Sequence, residues 1–310
     1  MSTRIAGAPI SWGVCEVPDW GYQLPAERVL PQLHQLGLQA MEFGPAGFLP
    51  SQPSRLRALL AEYDLQAVGG FEPVVLHTGD ADPLAGLADR LDAYVATGAD
   101  TMVLAAVTGR DGYESRPELD GQAWARLLTG CDRIADRAAD VGIRAVLHPH
   151  VGTLVESAAD IARVLAGARI GLCLDTGHLT IGGVDPVEFA TTAGKRIAHV
   201  HCKDVDAGLA TAVRSGTISY TRAVRDGLYR PLGRGDVDIE GVCRALRAAG
   251  YEGWWVLEQD RMLPMPDFAP DTPSGTPADV AAITSDTPTG IPADVAADVT
   301  ASLSFLQALL

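Results

Sequence analysis

The sequence has few basic residues for its length, and this shortage excludes one class of partner. Its 310 residues include 24 lysines and arginines against 39 aspartates and glutamates, a formal net charge of −15. Because a nucleic-acid duplex needs a basic protein face to neutralise its phosphates, we expect no nucleic-acid partner. A negative charge of this size is typical of soluble proteins that repel one another.

The sequence also lacks paired cysteines and long apolar runs. Its five cysteines form no CxxC motif and are odd in number, which favours free thiols in a reducing compartment. No apolar run reaches the length of a membrane span, and no apolar stretch follows the first residues as in a secretory signal. We therefore expect a cytoplasmic protein without a membrane partner.

A short apolar run followed by a helical pattern repeats along the chain. Eight such units predict a single-domain (β/α)₈ TIM barrel of the α/β class. The first run is not followed by a GxGxxG motif, which argues against an open dinucleotide-binding sheet. The long connection Val205–Val237 is expected to cover the functional site. The predicted strands are Ile5–Ile10, Gln39–Phe43, Gln66–Glu72, Thr101–Val107, Ile143–Pro149, Ile170–Leu174, Arg196–His201 and Gly253–Glu258.

One segment departs from this pattern. Residues 263–297 are rich in Pro, Thr and Ala. Two related copies of a short sequence, TPSGTPADVAAITSD and TPTGIPADVAADVTA, follow each other from Thr272 to Ala301. Such a composition has too few large apolar residues to pack as a domain. We therefore assign the barrel to residues 1–262 and 298–310, with a low-complexity insertion before a final helix at about Val299–Leu309.

Residues with metal-ligand chemistry stand at the ends of the last four predicted strands: His150, Asp175, His201 and Glu258. In a parallel barrel the carboxyl ends of the strands form the active face, so these side chains are expected to converge. Imidazole with carboxylate suits Mn²⁺ or Co²⁺, with Zn²⁺, Fe²⁺ and Mg²⁺ as alternatives, better than Ca²⁺. The sequence thus predicts a divalent metal cofactor.

Two of these ligands have a neighbour two residues away with the same chemistry. His148 precedes His150 and His199 precedes His201, and residues at this spacing point to one face of a strand. The later residue of each pair is the preferred ligand because it lies nearer the strand end. Glu156 is an alternative first ligand, although its surroundings indicate the start of a helix.

Other strand ends and loops supply candidates for the substrate site. Glu72 ends the third predicted strand and is a candidate acid or base. Each candidate also has an ordinary structural alternative, since carboxylates bond to neighbouring loops and charged loop residues are often simply solvated. The candidates for substrate binding are Trp12, Glu42, Arg110 and Tyr113.

At these positions the sequence resembles the xylose-isomerase-like barrel superfamily of sugar isomerases and epimerases, and within it the inosose dehydratases. The resemblance rests on APISWGVCEVPDWG, RDGYESRPELD, HPHVGTLVES, LDTGHL, HVHCKDV, PLGRGDVD and VLEQD. It implies a metal on Asp175, His201 and Glu258. His150 stands where the ketose epimerases carry a glutamate. Those enzymes use two glutamates, one on each face of the substrate, as acid and base. The loss of one of them therefore favours elimination of water over epimerisation.

The resemblance further implies a reaction. A metal-dependent lyase would dehydrate 2-keto-myo-inositol to a trihydroxycyclohexanedione, with the metal as Lewis acid. Glu258 or Glu72 would remove the α-proton, and His178 or Lys203 would protonate the departing hydroxyl. The alternatives are a sugar or sugar-phosphate isomerase or epimerase with the same metal site, and a non-catalytic sugar-binding barrel. The expected partner is a small polyol or sugar; the oligomeric state, a homo-oligomer included, is left open.

Overall fold

The computed structural model describes residues 4–80, 82–265 and 291–310. Eight parallel strands close into a barrel in the order β1, β10, β7, β6, β5, β4, β3, β2, which confirms the predicted fold and all eight predicted strands. Two further strands, β8 and β9, form a small antiparallel pair beside it. The strands are β1 (Ile5–Gly7), β2 (Ala40–Glu42), β3 (Gln66–Val74), β4 (Thr101–Ala106), β5 (Arg144–Leu147), β6 (Gly171–Asp175), β7 (Ile197–Cys202), β8 (Asp204–Val205), β9 (Tyr229–Arg230) and β10 (Trp255–Leu257).

Amphipathic helices cover the outside of the barrel. In the fourth, Trp124, Leu127, Cys131 and Ile134 are buried because their spacing places them on one face. No helix within the described residues has the length and apolarity that crossing a membrane requires. The helices are α1 (Ala26–Gln35), α2 (Pro53–Glu62), α3 (Leu87–Thr97), α4 (Gly121–Ala139), α5 (Ala158–Gly167), α6 (Thr176–Ile181), α7 (Pro186–Ala193), α8 (Ala207–Arg214), α9 (Tyr220–Arg225), α10 (Ile239–Ala248) and α11 (Ala293–Leu309).

The final helix begins earlier than the sequence pattern indicated. It starts at Ala293 rather than near Val299, because the buried stripe of α11 already includes Val295. Arg261 fastens this helix to the end of the barrel through an ion pair of 2.6 Å with Asp298. Most of the predicted insertion, residues 266–290, lies outside the described residues.

Irregular pairing marks two of the strands that carry site residues. The register of β2 against β3 shifts between Met41 and Glu42, and that of β6 against β7 shifts between Leu172 and Cys173. The extra residues are Val68 in β3 and Ala198 in β7, and an extra residue changes the direction of the side chains that follow it in its own strand. Both shifts occur at or just before an acidic residue that faces the barrel interior.

The end of the long connection after β7 is bound by the carboxylate of Asp204. Asp204 accepts hydrogen bonds from the backbone N–H groups of Gly233, Gly235 and Val237 at 2.9–3.0 Å. These bonds fix the returning chain next to β8. The segment from Val205 to Val237 thus has an ordered structure, with α8, α9 and β9 in it.

Candidate active site

A cavity of about 490 Å³ opens at the carboxyl ends of the barrel strands. The loops after β1 and β2, together with strand β3, supply most of its apolar wall, including Ile10 and Trp20 from the first loop and Phe71 from β3. The cavity also has many polar groups. Its titratable and polar lining comprises Glu16, Glu42, Glu72, Arg90, Tyr113, His148, His150, His201, Lys203, Tyr220, Glu258 and Asp260.

Three of the four predicted metal ligands meet beside this cavity. Asp175 ends β6, His201 lies in β7, and Glu258 directly follows β10. His201 Nδ1 lies 3.5 Å from Asp175 Oδ2 and 3.1 Å from Glu258 Oε2. All three side chains are buried, so they form a compact group shielded from bulk water.

The fourth predicted ligand, His150, lies outside this group. Its Nδ1 donates to the carbonyl of Val151 at 2.8 Å, and its ring lies against that of His178 with centroids 3.7 Å apart. The earlier histidine, His148, takes the inner position, with Nε2 at 3.3 Å from Asp175 Oδ2. Because β5 ends at Leu147, two residues before the predicted end, His148 is the residue that points into the barrel.

The donor set fits a divalent cation. Within the described part of the chain, His148 Nε2, Asp175 Oδ2 and His201 Nδ1 are buried and have no hydrogen-bond partner. Such atoms are costly to bury without a partner. Ligands about 2.1 Å from a metal lie roughly 3.0–3.4 Å from one another. His148 Nε2 lies 3.3 Å from Asp175 Oδ2, and His201 Nδ1 lies 3.5 Å from the same oxygen and 3.1 Å from Glu258 Oε2.

Glu42 contacts two histidines. Its Oε1 accepts from Nε2 of His199 at 2.7 Å and from Nε2 of His201 at 3.1 Å. Burial alone would raise the pKa of Glu42, but the charge of His201 and the two hydrogen bonds hold that pKa below its usual range. Glu42 lines the cavity, as expected for a substrate-binding residue. Its Oε1, however, already accepts hydrogen bonds from both histidines.

Lys203 stands among carboxylates under the cavity. Its Nζ donates to Asp260 Oδ1 at 2.6 Å and lies 3.1 Å from Glu258 Oε2 and 3.6 Å from Asp175 Oδ2. Burial would lower the pKa of Lys203, but these three carboxylates raise it well above its usual value. Lys203 is therefore an ammonium group that can donate hydrogen bonds at the floor of the cavity.

His178 lies behind Lys203 and does not line the cavity. Its Nε2 accepts a hydrogen bond from Lys203 Nζ at 3.1 Å. Burial, together with the charges of His150 and Lys203, lowers the pKa of His178 well below its usual value. A neutral imidazole in this place orients the lysine and is less suited than the lysine to protonate a substrate hydroxyl.

Asp260 is a site residue that the sequence reasoning missed. It lines the cavity, binds Lys203, and accepts from the Tyr220 hydroxyl at 3.1 Å. Burial raises the pKa of Asp260 to about 6, although Lys203 opposes the shift. The sequence could have indicated Asp260, because it lies two residues after Glu258 in the motif VLEQD.

Glu72 and Tyr113 both line the cavity, as expected. Glu72 accepts from the Tyr94 hydroxyl at 3.2 Å and lies 3.3 Å from Arg90 Nε, and burial raises its pKa. The ring of Tyr113 packs on His150 with centroids 4.6 Å apart. Both residues are thus placed to contact a bound molecule.

Two other candidates for substrate binding are not brought to the cavity. Trp12 is fully buried in the core, where its Nε1 donates to Gln32, because the chain after β1 turns into a short 3₁₀ helix. Arg110 is exposed on its loop. The alternative first ligand Glu156 bonds the backbone N–H of Gly152 at 2.9 Å instead.

Two loops interlock above the cavity. Glu114, in the loop after β4, accepts from the backbone N–H groups of Tyr220 and Thr221 at 2.9 and 2.7 Å. Tyr220 packs against Trp20, with ring centroids 5.9 Å apart. The start of α9 is therefore held over the site by a carboxylate from a distant part of the chain.

Comparison with known families identifies the barrel. Residues 30–282 match the family described as xylose isomerase-like TIM barrel. The chain belongs to this family. The resemblance inferred from the strand-end motifs is thereby confirmed.

The chain also has characterised relatives over most of its length. It is 34% identical over 270 residues to the rhizopine catabolism protein MocC of Rhizobium meliloti, covering 84% of this chain and 82% of that protein. It is 28% identical over 272 residues to the inosose dehydratase of Lacticaseibacillus casei, covering 84% and 91%. The chain is accordingly an enzyme, with lyase and isomerase or epimerase chemistry both represented in its family.

Solved structures with the same fold include sugar epimerases. L-Ribulose 3-epimerase superposes with a TM-score of 0.66 at 18% identity, covering 100% of this chain and 95% of the other. The IOLI protein with a binding zinc atom superposes with a TM-score of 0.60 at 15% identity, covering 84% and 90%. At these identities the likeness concerns the fold alone.

Proposed function

We propose that this enzyme is a metal-dependent lyase that removes water from a cyclic polyol ketone, 2-keto-myo-inositol, to give a trihydroxycyclohexane-1,2-dione. The observation that carries the proposal is the contact between Lys203 Nζ and Glu258 Oε2 at 3.1 Å, at the floor of the cavity. An ammonium and a carboxylate side by side supply the acid and the base that an elimination needs. Relatives that are inosose dehydratases support the substrate class.

The proposed metal ligands are Asp175, His201 and Glu258. His148 Nε2 is the nearest further donor, whereas His150, expected from the sequence, would have to leave its position against His178. Imidazole and carboxylate together suit Mn²⁺ or Co²⁺, with Zn²⁺ and Fe²⁺ as alternatives. When bound, such an ion supplies Lewis-acid polarisation of the ketone oxygen.

The side chains account for both protons. Glu258 accepts the α-proton as the carbon–hydrogen bond breaks, and the electron pair forms the new double bond while the carbon–oxygen bond of the β-hydroxyl breaks. Lys203 donates a proton to that oxygen, which leaves as water. Because Lys203 and Glu258 are in contact, the proton gained by one can restore the other, and the enol product tautomerises to the dione.

One observation favours a second candidate, a sugar epimerase with the same site. Glu72 is a second carboxylate on the cavity wall, and burial raises its pKa. Two carboxylates on different faces of a bound sugar allow a proton to be removed from one face and returned to the other. In the dehydratase proposal Glu72 is the alternative base.

One experiment separates the two. The Mn²⁺-loaded enzyme is incubated in deuterated water with 2-keto-myo-inositol (scyllo-inosose) and, separately, with ketose sugars. The ultraviolet absorption of an enedione product and deuterium uptake are followed in both. The lyase proposal expects product absorption and water loss. Deuterium exchange in ketoses without water loss would favour the epimerase, and no reaction with either substrate class would contradict both.

A cytoplasmic location forms part of the proposal. All five cysteines are free, and four of them are buried. Free thiols persist where the compartment is reducing. The small polyol substrate is consistent with this location.

A further inference from the structure

The Glu42 carboxylate reaches across the barrel interior from β2 to β7. These strands are not neighbours, since β1 and β10 lie between them. One oxygen, Oε1, accepts from both His199 and His201, at 2.7 and 3.1 Å. All three residues are at most 3% exposed, so water does not compete effectively for these bonds.

This contact decides which nitrogen of His201 is free. Nε2 carries the hydrogen that Glu42 accepts, so in the neutral ring Nδ1 has the lone pair. Nδ1 lies 3.1 Å from Glu258 Oε2 and 3.5 Å from Asp175 Oδ2. Without a metal, a proton on Nδ1 can balance these two carboxylates. With a metal bound, the lone pair of Nδ1 is free to take the proton's place as a ligand.

We propose that Glu42 is a positioning residue for the divalent metal: it holds His201 in the Nε2–H form, aims Nδ1 at Asp175 and Glu258, and so sets the affinity of the site. The inference rests on the metal site of the proposed function. A ligating histidine usually donates its other N–H to such a group. His199, as a second donor, keeps the Glu42 carboxylate in place.

Alternation along β2 directs Glu42 inward, because Ala40, two residues earlier, packs inside the barrel with Ala6, Val68 and Val256. The register between β2 and β3 shifts at Met41 and Glu42, so that Glu42 pairs with Gly69. A side chain at Gly69 would have no room, since a Cβ there would lie 1.7 Å from the Thr101 carbonyl oxygen. Gly69 thus lets β3 and β4 come close together beside Glu42, while the inward direction of Glu42 follows from its place in β2.

Calorimetric titration with Mn²⁺ tests the role of Glu42. In Glu42→Ala we expect the dissociation constant to rise about 10–100-fold, the usual effect of losing such a partner. In Glu42→Gln, which keeps an acceptor oxygen without the charge, we expect a smaller rise. Glu16→Gln is the matched control, because Glu16 lines the same cavity but bonds Tyr113 rather than a histidine.

A second measurement uses the wild-type enzyme and does not depend on any variant folding. Nitrogen NMR of the Zn²⁺-loaded protein should show His201 with a protonated Nε2 and a metal-bound Nδ1. Coordination through Nε2, or unchanged Mn²⁺ affinity in folded Glu42→Ala, would overturn the role of Glu42 while leaving the lyase proposal standing. If wild-type protein binds neither Mn²⁺ nor Zn²⁺, the metal site itself is overturned.

Discussion

Lys203 and Asp260 form an ion pair under the cavity, with Nζ donating to Oδ1 at 2.6 Å and both side chains almost fully buried. A buried charge without a partner is strongly unfavourable. Asp260 thus keeps Lys203 charged and fixed beside Glu258. The sequence contains one other lysine, the exposed Lys195, which offers a control of the same residue type.

Replacement of Lys203 tests its part as proton donor. Lys203→Met should lower the rate of water loss by about 10²–10⁴, the usual contribution of one acid or base. Mn²⁺ binding should persist, because Lys203 is not among the proposed ligands. Turnover is measured by product absorption and binding by calorimetry. Lys195→Met should behave as wild type, and a rate in Lys203→Met within a fewfold of wild type would remove the lysine from the mechanism.

The two candidate bases are distinguished by isosteric variants. Glu258→Gln should lose at least about 10² in turnover, and also Mn²⁺ affinity, since Glu258 is a proposed ligand. Glu72→Gln should keep Mn²⁺ affinity, because Glu72 contacts Arg90 and Tyr94 instead. The measurements are steady-state kinetics and calorimetry. A larger loss of turnover in Glu72→Gln than in Glu258→Gln would transfer the base function to Glu72.

Much of the fold was predictable because barrel strands have a plain sequence signal. Each of the eight strands is a short apolar run, and every predicted run contains the observed strand or overlaps it. The buried face of α4 was equally predictable, since its large apolar residues recur at helical spacing. Convergence of Asp175, His201 and Glu258 followed from the closed sheet.

What could not be predicted depends on single-residue geometry. The choice between His148 and His150 turns on where β5 ends, a boundary that the apolar pattern leaves uncertain by one or two residues. The contact of Glu42 with His199 and His201 depends on how close two non-neighbouring strands, β2 and β7, come inside the barrel, and the sequence pattern does not indicate this. Trp12 lies in the core because the chain bends directly after β1. The spacing of apolar residues does not indicate such a bend.

Metal removal should lower thermal stability. Asp175 and Glu258 bring negative charge to one buried place, so a bound cation stabilises the folded state. At a free Mn²⁺ concentration of about 100 times the dissociation constant, the gain is about 2.7 kcal/mol. Calorimetric scans with Mn²⁺ and with a chelator measure it. Asp175→Asn should abolish most of the difference, and an unchanged midpoint on chelation of wild type would contradict the metal site.

The contact between Glu114 and α9 should affect substrate binding more than chemistry. Glu114→Ala frees the backbone N–H groups of Tyr220 and Thr221 and loosens the segment over the cavity. Because Glu114 is exposed, we expect a cost of only about 1 kcal/mol, seen as a roughly fivefold rise in KM with kcat little changed. Glu118→Ala, on the same loop, is the control. A fall in kcat at constant KM would argue for a different role.

Asp204 should be a determinant of stability and not of chemistry. Besides Gly233, Gly235 and Val237, it accepts from the N–H of Val205, so Asp204→Ala leaves four backbone donors without their acceptor. Unsatisfied buried groups cost about 1–3 kcal/mol each; with partial hydration we expect a loss of about 3 kcal/mol, measured by denaturant unfolding.

The neighbouring Asp206 provides the comparison for Asp204. It caps α8 by accepting from the N–H of Leu209 at 2.9 Å, and replacing such a cap by alanine costs about 1 kcal/mol. Asp204→Ala should therefore be the more destabilised variant by a clear margin. Equal losses in the two variants would mean that the segment after β8 is held by its other contacts, and that the Asp204 carboxylate adds little to them.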